Sequence, residues 1–555
     1  MGPAAPSAGI DTPDVVFFNG KILTLDSAGS IASAVAVKNG KFESVGASDE
    51  LRKLAGASTK LVDLNGRLVV PGFIDAHTHP AETILMKENW VDARFPGTAS
   101  MRQALGKIRD RLSRTPKGDW VFVACVSASQ NKFAEKRLPT KAELDAVSPD
   151  NPVVLANGTH MFVANSAALR ALGVAKNNTM LKGGGRALLG KNGNPNGALI
   201  DGASALPITP TADQVKQYYA KEIPDFWNAN GFTSILAVTP AAAVPVLQAV
   251  AQKIQPDIRY SISVWTALNG ENLPDKLDVY KMPQGVDPAY YRFAAIKVWM
   301  DGENDARTGL MYERYRGRRE TDPPGGRGSL TTPPDQLARF LDVANKNGAI
   351  AMIHCSGDKA TDLCLNAIEH EAATGGETSI MRIEHFGMFQ LSETQLKRAV
   401  ALKKKRFFIS IQPAWLLNLA RANVTNMGSR RARTGFSFRS LIDAGLEPAA
   451  GTDVTGIYLT NVNPLLGIYA AVTRNSDLGV FEPKQAVSVI EALKMWTIWA
   501  AKAMGEEAAK GSIEPGKYAD MAVLSDDVLT LPTEKLKEVR VVRTVLGGRT
   551  VYEAE

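Results

Sequence analysis

Two histidines, His77 and His79, stand two residues apart at the end of the apolar run VVPGFIDAHTHP, in a chain of 555 residues that has six histidines. Residues two apart in a β-strand point to the same side of the strand. The two imidazoles therefore aim at one point and could bind one metal ion, each at about 2.0 to 2.1 Å. The alternative is a pair of hydrogen-bonded structural histidines, and the spacing alone does not choose between them.

Other apolar runs also end on polar groups. His354 ends AIAMIH, His385 follows MRIE, and Asp453 ends EPAAGTD. The carboxyl ends of parallel strands meet at one face of an α/β fold, where active sites form. The pattern therefore predicts that these groups and the histidine pair share one site. Cys355 points away from its neighbour His354, and we expect it to pack in the core.

A lysine lies within a further apolar run, IKVWMDG, where Lys297, Trp299 and Asp301 share one face of the predicted strand. Burying a charged lysine is costly. A neutral lysine can react with carbon dioxide, and the resulting anionic carbamate can bridge two metal ions. The alternative is an ordinary lysine that is paired with Asp301 or reaches solvent.

Strand-like and helix-like segments alternate through the middle of the chain, as in TPPDQLARFLDVANKNG before AIAMIHC. Repeated strand–helix–strand units favour a parallel sheet. The sequence therefore predicts an α/β fold with a (β/α)8 barrel of the TIM type, and an open doubly wound sheet is the alternative. The candidate groups would lie at the mouth of this barrel, formed by the carboxyl ends of its strands.

Both ends of the chain are typical of β-strands. Asn-Gly pairs at 19–20, 39–40 and 65–66 separate strand-like runs, and Gly547-Gly548 does the same near the other end. Such pairs predict hairpins. We expect the two ends to form one small β-sandwich domain from residues 14–70 and 508–555.

The remaining boundaries follow from segment lengths. Residues 71–507 would form the barrel domain. The stretch after its first strand is longer than one crossover needs, which predicts an inserted α/β lobe at about 81–230 that covers the mouth. The small, Pro/Ala-rich residues 1–13 are expected to be a flexible tail. Aromatic residues of the lobe, namely Trp90, Phe95, Trp120 and Phe133, suggest an apolar pocket.

Composition limits the possible partners. The net charge of +7 is a mild excess for this length, and the basic run KKKR at 403–406 is expected to be a solvated helix end, so we expect no nucleic-acid partner. The sequence has no apolar run of about 18 residues and hence no expected membrane span. Three cysteines make a disulfide framework improbable. We expect a cytoplasmic protein, with export after removal of a leader as the alternative.

The ensemble of motifs resembles the amidohydrolase superfamily. The segments VVPGFIDAHTH, IKVWMDG, MIHCSGD, RIEHFG and GTD occur in that superfamily's order, and GSIEPGKYADMAVLSDD resembles its return to the small β domain. The similarity covers about residues 14–553. It is greatest to amidohydrolase family 3, which includes N-substituted formamide deformylases.

The resemblance implies a site with two divalent metal ions. Imidazole and carboxylate ligands favour zinc, with manganese, iron or cobalt as alternatives. His77 and His79 would bind one ion. A carboxylated Lys297 would bridge it to a second ion held by His354 and His385. Asp453 would contact the first ion and shuttle protons.

The implied reaction is hydrolysis of an amide or N-substituted formamide C–N bond in a small molecule by a metal-activated hydroxide. The alternatives are ester hydrolysis, C–C cleavage or decarboxylation at the same site, or a binding protein that inherited the fold. A homodimer is expected only by resemblance.

Four further residues carry site predictions. His160, in NGTHMFVANS, matches the family and is expected to reach the substrate or stabilise the oxyanion, with loop packing as the alternative. Trp299, Asp301 and Arg307 are expected to bind substrate, with structural roles as the alternative. The chain departs from the family pattern at DVTGIY and at Glu303 and Asp305, the last two near the expected rim of the pocket.

Overall fold

The computed structural model describes residues 12–125, 132–158, 160–319, 321–374, 379–454 and 462–554. The chain starts with seven strands in two sheets and one short helix, α1 (Ser48–Leu51). The strands are β1 (Val15–Phe18), β2 (Lys21–Leu23), β3 (Ile31–Ala32), β4 (Ala34–Lys38), β5 (Lys41–Gly46), β6 (Lys60–Asp63) and β7 (Leu68–Pro71). One sheet has the order β5-β4-β1-β6, whereas β2, β3 and β7 belong to a second, six-stranded sheet.

Only one of the three Asn-Gly turns in this region closes a hairpin. Asn39-Gly40 joins β4 to β5, which pair antiparallel. The turns at Asn19-Gly20 and Asn65-Gly66 instead carry the chain from one sheet to the other, so the hairpin prediction is wrong there. All three asparagines have positive φ, near +50°. This conformation permits a tight reversal, but the apolar faces of the strands decide which sheet each strand joins.

The first barrel strand, β8 (Phe73–Thr78), is followed by a lobe with its own six-stranded mixed sheet. Its strands are β9 (Val91–Asp92), β10 (Val121–Cys125), β11 (Val153–Asn157), β12 (Met161–Ala164), β13 (Arg186–Leu189) and β14 (Pro195–Ile200). Its helices are α2 (Pro80–Glu88), α3 (Met101–Leu112), α4 (Lys141–Val147) and α5 (Ser166–Ala171). Separate apolar clusters cover the two faces of this sheet.

Helical segments that pack on the barrel precede residue 230, the predicted end of the lobe. Residues 212–227 form α6 (Ala212–Gln217) and a π-helical stretch, Tyr218–Trp227. Side chains of both segments, including Val215, Tyr218 and Trp227, belong to the main apolar cluster of the barrel. They therefore act as a helical layer of the barrel, because their apolar faces are buried against its strands.

Seven further parallel strands continue the barrel in sequence order after β8. They are β15 (Phe232–Pro240), β16 (Arg259–Trp265), β17 (Tyr291–Trp299), β18 (Ile350–His354), β19 (Met381–Glu384), β20 (Phe407–Ile411) and β21 (Ala449–Ala450). Such strands read as nearly continuous apolar runs because both of their faces are buried. The result is a nearly closed eight-stranded parallel barrel in an α/β fold, as predicted.

Helices surround these strands: α7 (Val244–Ala251), α8 (Pro334–Asn347), α9 (Asp358–Ala373), α10 (Glu393–Leu402), α11 (Leu416–Met427), α12 (Ser429–Ala432), α13 (Phe438–Asp443), α14 (Pro464–Thr473), α15 (Val489–Met495) and α16 (Ile498–Ala503). Helix α8 begins at Pro334 and is terminated by Gly348 at φ +63°, the usual placement of proline and glycine at helix ends.

The run KKKR forms the turn between α10 and β20, as expected. Within the described ranges, we find no helix both long and apolar enough to cross a membrane.

The end of the chain returns to the first domain. After a small hairpin of β22 (Asn475–Ser476) and β23 (Gly479–Val480) come β24 (Met521–Leu524), β25 (Val541–Leu546) and β26 (Arg549–Glu553). The six-stranded sheet has the order β26-β25-β24-β7-β2-β3, so both chain ends contribute to it. Side chains from this sheet and from the four-stranded sheet share one apolar cluster.

A buried ion pair connects the barrel to this terminal sheet. The Arg259 guanidinium donates to both carboxylate oxygens of Asp520 at 2.7 and 2.9 Å, and it also packs 3.6 Å from the ring centre of Tyr518. The side chains of Arg259 and Asp520 are 4% and 5% exposed. Removing one member of such a pair leaves the other buried charge uncompensated.

We therefore expect Arg259→Met to lower the free energy of unfolding by about 3–5 kcal/mol, measured as a lower midpoint of urea unfolding. Lys216→Met, which removes an exposed ion pair with Asp213, is the control and should leave the midpoint unchanged. A wild-type midpoint for Arg259→Met would contradict the role given to this pair.

Candidate metal centre

The six predicted ligand groups lie at the carboxyl ends of the barrel strands. His77 is within β8 and His79 directly follows it, whereas Lys297 is near the end of β17. His354 ends β18, His385 directly follows β19, and Asp453 lies three residues after β21. All of them are buried except Asp453, whose side chain is 10% exposed.

Three imidazoles surround the carboxylate of Asp453. Nε2 of His79 lies 3.0 Å and Nε2 of His77 lies 3.6 Å from Oδ1, and Nε2 of His385 lies 3.9 Å from Oδ2. Donor atoms of His77, His385 and Asp453 all fall within 4.8 Å of one another. One nitrogen from each ring therefore points towards the same small volume.

The opposite nitrogen of each of these rings faces an oxygen. Nδ1 of His77 lies 2.8 Å from Oε2 of Glu384, Nδ1 of His385 lies 2.6 Å from Oε1 of Gln412, and Nδ1 of His79 lies 3.8 Å from Oε1 of Glu82. Metal-binding histidines are usually held this way, because an acceptor at one nitrogen orients the other towards the ion. The donor set therefore fits a divalent metal.

Lys297 lies at the edge of this group. Its Nζ is 3.3 Å from Nε2 of His77 and 5.1 Å from the centre of the Trp299 ring. Burial lowers the pKa of Lys297 to about 8, because a charged ammonium loses its water shell there. A larger fraction of this amine is thus neutral near neutral pH than for an exposed lysine.

His354 is close to the group but uses its nitrogens differently. Its ring centre is 4.6 Å from that of His385. Its Nε2 lies 3.2 Å from both the carbonyl oxygen of Gly302 and Oγ of Ser356. Nδ1 is therefore the nitrogen that His354 could offer to a metal. Burial holds the pKa of His354 well below its usual range.

Charges and hydrogen bonds within the site counteract the effect of burial on the pKa values of Asp453 and His79. Burial would raise the pKa of Asp453, but the neighbouring His77 and His79 hold it well below its usual range. Burial would also lower the pKa of His79, yet hydrogen bonding with Asp453 and Glu82 raises it to about 9. Without a metal, His79 thus keeps a proton that a metal ion would displace.

Two residues that sequence reasoning missed support His77 from across the barrel. Glu384, which faces His77, also accepts a hydrogen bond from Nε of Arg382 at 2.5 Å, and Arg382 donates to the Ala76 carbonyl at 2.8 Å. Although burial opposes its charge, Arg382 and His77 hold the pKa of Glu384 well below its usual range. The two charged residues in MRIEH, within an apolar run, were the signal in the sequence that could have identified this pair.

The segment that bears Asp453 is fixed to the first strand. Thr452 donates its backbone N–H and its hydroxyl to the two carboxylate oxygens of Asp75 at 2.8 and 2.6 Å, and the Asp453 N–H donates to the His77 carbonyl at 2.7 Å. Asp453 and His385 both have positive φ, at +49° and +66°. Residues other than glycine rarely adopt this backbone conformation except where the surrounding structure enforces it.

His160 and Trp299 lie beside the metal-ligand candidates. The ring of His160, from the lobe, is 4.7 Å from that of His354, and the Trp299 ring is 6.5 Å from it. Nδ1 of His160 lies 2.7 Å from Oδ1 of Asp201, a contact that the sequence did not suggest. The geometry thus brings both residues to the place that their predicted roles require, and those roles stay predictions.

Asp301 and Arg307 make contacts of a structural kind. Asp301 accepts hydrogen bonds from the backbone N–H groups of Leu310, Ser356 and Gly357. Arg307 pairs with the carboxylate of Asp322 and donates to two backbone carbonyls. These contacts favour the alternative, in which the two side chains hold loops at the mouth, and give no support to a substrate contact.

The lobe aromatics mostly serve its own core. Trp90 and Trp120 both stack on Phe122, and Phe133 is buried in the cluster on the opposite face of the sheet. Phe95 is 41% exposed. These positions do not support the predicted apolar pocket, because large side chains in a small lobe are needed to fill its interior.

Comparison with known proteins identifies the family of this chain. Residues 60–552 match the model of the amidohydrolase family. The chain belongs to this family. An N-substituted formamide deformylase of Arthrobacter pascens is 28% identical, covering 97% of this chain and 98% of that protein. The protein LONG AFTER FAR-RED 3 of Arabidopsis thaliana is 29% identical over 99% and 93% of the two chains.

A solved structure supports the fold. An uncharacterized metal-dependent hydrolase from Pyrococcus horikoshii superposes with a TM-score of 0.69 at 24% identity, covering 94% of this chain and 99% of that one. At this identity the likeness concerns the fold, and the fold alone does not define a substrate.

The contact between Glu384 and His77 makes a testable prediction. We expect Glu384→Gln to weaken zinc binding by about 10- to 100-fold, because the amide carries no charge to hold the His77 ring and its proton. The dissociation constant is measured by competition with a chromogenic chelator. Glu447→Gln, which alters a half-buried pair with Lys502, is the control. Equal zinc affinity in both variants would refute the role of Glu384.

Proposed function

We propose that this amidohydrolase-family protein hydrolyses the C–N bond of an amide or N-substituted formamide in a metal-dependent reaction. The observation that carries the proposal is the set of three imidazole Nε2 atoms around Asp453. In the rings of His77 and His385, Nδ1 also lies within 2.8 Å of a side-chain oxygen. The similarity to a formamide deformylase over nearly the whole length of both chains supports this substrate class.

The donor atoms suit two divalent ions. His77, His79 and Asp453 would hold one ion, and His354, through Nδ1, and His385 the other. A carboxylated Lys297 would contribute to both. Imidazole and carboxylate ligands favour zinc. When bound, such ions act as Lewis acids that polarise a carbonyl group and lower the pKa of water.

Asp453 is the proposed proton shuttle. Its two oxygens face different histidines, so one oxygen can contact an ion while the other accepts a proton. This proton comes from the attacking water and goes to the leaving nitrogen as the C–N bond breaks. We propose that His160 hydrogen-bonds the reacting group from the lobe side and that Trp299 forms a wall of the pocket.

The proposed modification of Lys297 can be tested directly. The neutral amine adds to carbon dioxide, forming an N–C bond and releasing one proton. Since burial lowers the pKa of Lys297 to about 8, the reactive neutral fraction grows as pH rises from 7 to 9. Protein reconstituted with zinc and ¹³C-bicarbonate, at equal dissolved carbon dioxide, should show a carbamate ¹³C resonance that is stronger at pH 9 than at pH 7.

Lys297→Met should lack this resonance and retain less zinc. Lys510→Met removes another buried lysine, which is paired with Glu506 and bonded to Ser234 near the amino end of β15, and should keep the resonance. A carbamate resonance that persists in Lys297→Met would assign the modification to another residue.

The shuttle role predicts that Asp453→Asn keeps its zinc but loses turnover by about 10²- to 10⁴-fold, because an amide oxygen still binds metal but cannot accept the proton. Turnover is measured on N-substituted formamides, unsubstituted amides and matched esters. Asp527→Asn, in the terminal domain, is the control. Undiminished turnover in Asp453→Asn, or wild-type activity confined to the esters, would reject the proposal.

A further inference from the structure

A buried aspartate of the lobe holds His160 in place. Oδ1 of Asp201 lies 2.7 Å from Nδ1 of His160, and the two side chains are 4% and 1% exposed. The backbone N–H of Asp201 also donates to the His160 carbonyl at 2.9 Å. Asp201 directly follows β14 and has a φ of +54°, which aspartate adopts more readily than most residues. Backbone and side chain together therefore fix Asp201 relative to His160.

The second oxygen of Asp201 is held by the barrel. The hydroxyl of Thr331 donates to Oδ2 at 2.6 Å, and the Thr331 backbone N–H donates to the Met300 carbonyl at 2.9 Å. Met300 directly follows β17, the strand that carries Lys297. The carboxylate thus has a donor at each oxygen, one from the lobe and one from the barrel.

This arrangement leaves one nitrogen of His160 for chemistry. Because Nδ1 contacts Asp201, the ring cannot turn over without breaking a buried contact, and a proton on Nδ1 would have this carboxylate as its acceptor. Nε2 lies 3.9 Å from Oε1 of Glu303, and the ring is 4.7 Å from that of His354. The only ring nitrogen available to a substrate is therefore Nε2, next to the candidate metal ligands.

We propose that Asp201 is a positioning residue. Its carboxylate keeps His160 in the Nδ1–H tautomer and in one orientation, so that Nε2 meets the reacting amide beside the metal centre, and Thr331 fixes this carboxylate to the barrel. A carboxylate that orients a catalytic imidazole is a known device in hydrolases. The inference rests on the proposed function, and it adds that the site is complete only when the lobe is docked on the barrel.

Kinetics test the inference first. With an N-substituted formamide that the wild type hydrolyses, Asp201→Asn should lower kcat by about 10²-fold or more, with KM little changed and zinc content unchanged. Asp201→Glu, which restores the carboxylate, should recover part of kcat. Asp145→Asn is the matched control, since Asp145 is a lobe carboxylate that also accepts two hydrogen bonds, both from Ser166. It should retain wild-type kcat.

A spectroscopic readout separates positioning from general packing. In protein labelled with ¹⁵N-histidine, the Nδ1 proton of His160 should resonate far downfield and be assigned by its loss in His160→Gln. We expect this resonance to shift or vanish in Asp201→Asn, whereas those of His77 and His385, held by Glu384 and Gln412, stay in place. Thr331→Val should shift it less, with a smaller fall in kcat.

Wild-type kcat and an unmoved His160 resonance in Asp201→Asn would overturn the inference. If that variant does not fold, the same two null results in Thr331→Val would overturn it. These outcomes are distinct from failure of the proposed function, because undiminished turnover in Asp453→Asn would reject the shuttle while leaving the His160 resonance as a test of the Asp201 contact.

Discussion

The closure of the barrel between its first and last strands determines the rest of the site. Asp75 accepts from Thr452, and the Asp453 N–H bonds to the His77 carbonyl. This register requires a glycine beneath the histidine, since a Cβ on Gly451 would lie 2.7 Å from the His77 Cβ. Candidate ligands separated by more than 370 residues thereby become neighbours. A shift of one residue here would break the bond between the Asp453 N–H and the His77 carbonyl and move the Asp453 carboxylate away from His77 and His79.

Closure also concentrates charge in a largely buried place. Lys297, Arg382 and Glu384 are buried beside four histidines, and Asp453 next to them is 10% exposed. Taking such groups out of water costs several kcal/mol per ion unless partners compensate. The rings of His77 and His385 meet this demand with oxygens at Nδ1, but their Nε2 atoms face other nitrogens or a shared carboxylate. A cation could interact with these Nε2 atoms and the carboxylate at the same time. The arrangement of polar atoms in the interior is therefore itself an argument for a metal ion.

The sequence predicted where the strands lie better than it predicted which strands pair and which side chains contact one another. Apolar runs that end on His354, His385 and Asp453 placed the barrel strands and the mouth, because burial on both faces leaves a clear pattern. The Asn-Gly turns at 19–20 and 65–66 led to a wrong prediction of hairpins. A turn motif specifies a local reversal of the chain but not the sheet that the next strand joins. Glu384, Gln412 and Asp201 went unnoticed because each acts only through a ring that is distant in sequence. No spacing rule links such pairs.

The side chains that contact the histidine rings come from two different parts of the fold. Glu384 and Gln412 belong to or follow barrel strands and hold the rings expected to bind metal. Asp201 belongs to the lobe and holds the ring that lies outside that set, with Thr331 as its link to the barrel. The barrel strands form one sheet of eight hydrogen-bonded strands, whereas the lobe has its own sheet and two cores. Changes in lobe sequence can therefore alter the position of His160 without disturbing the barrel residues around Asp453. Under the proposed function, the chemistry would take place in the barrel, and discrimination between substrates would depend on the boundary where His160 lies 3.9 Å from Glu303 and Asp201 bonds to Thr331.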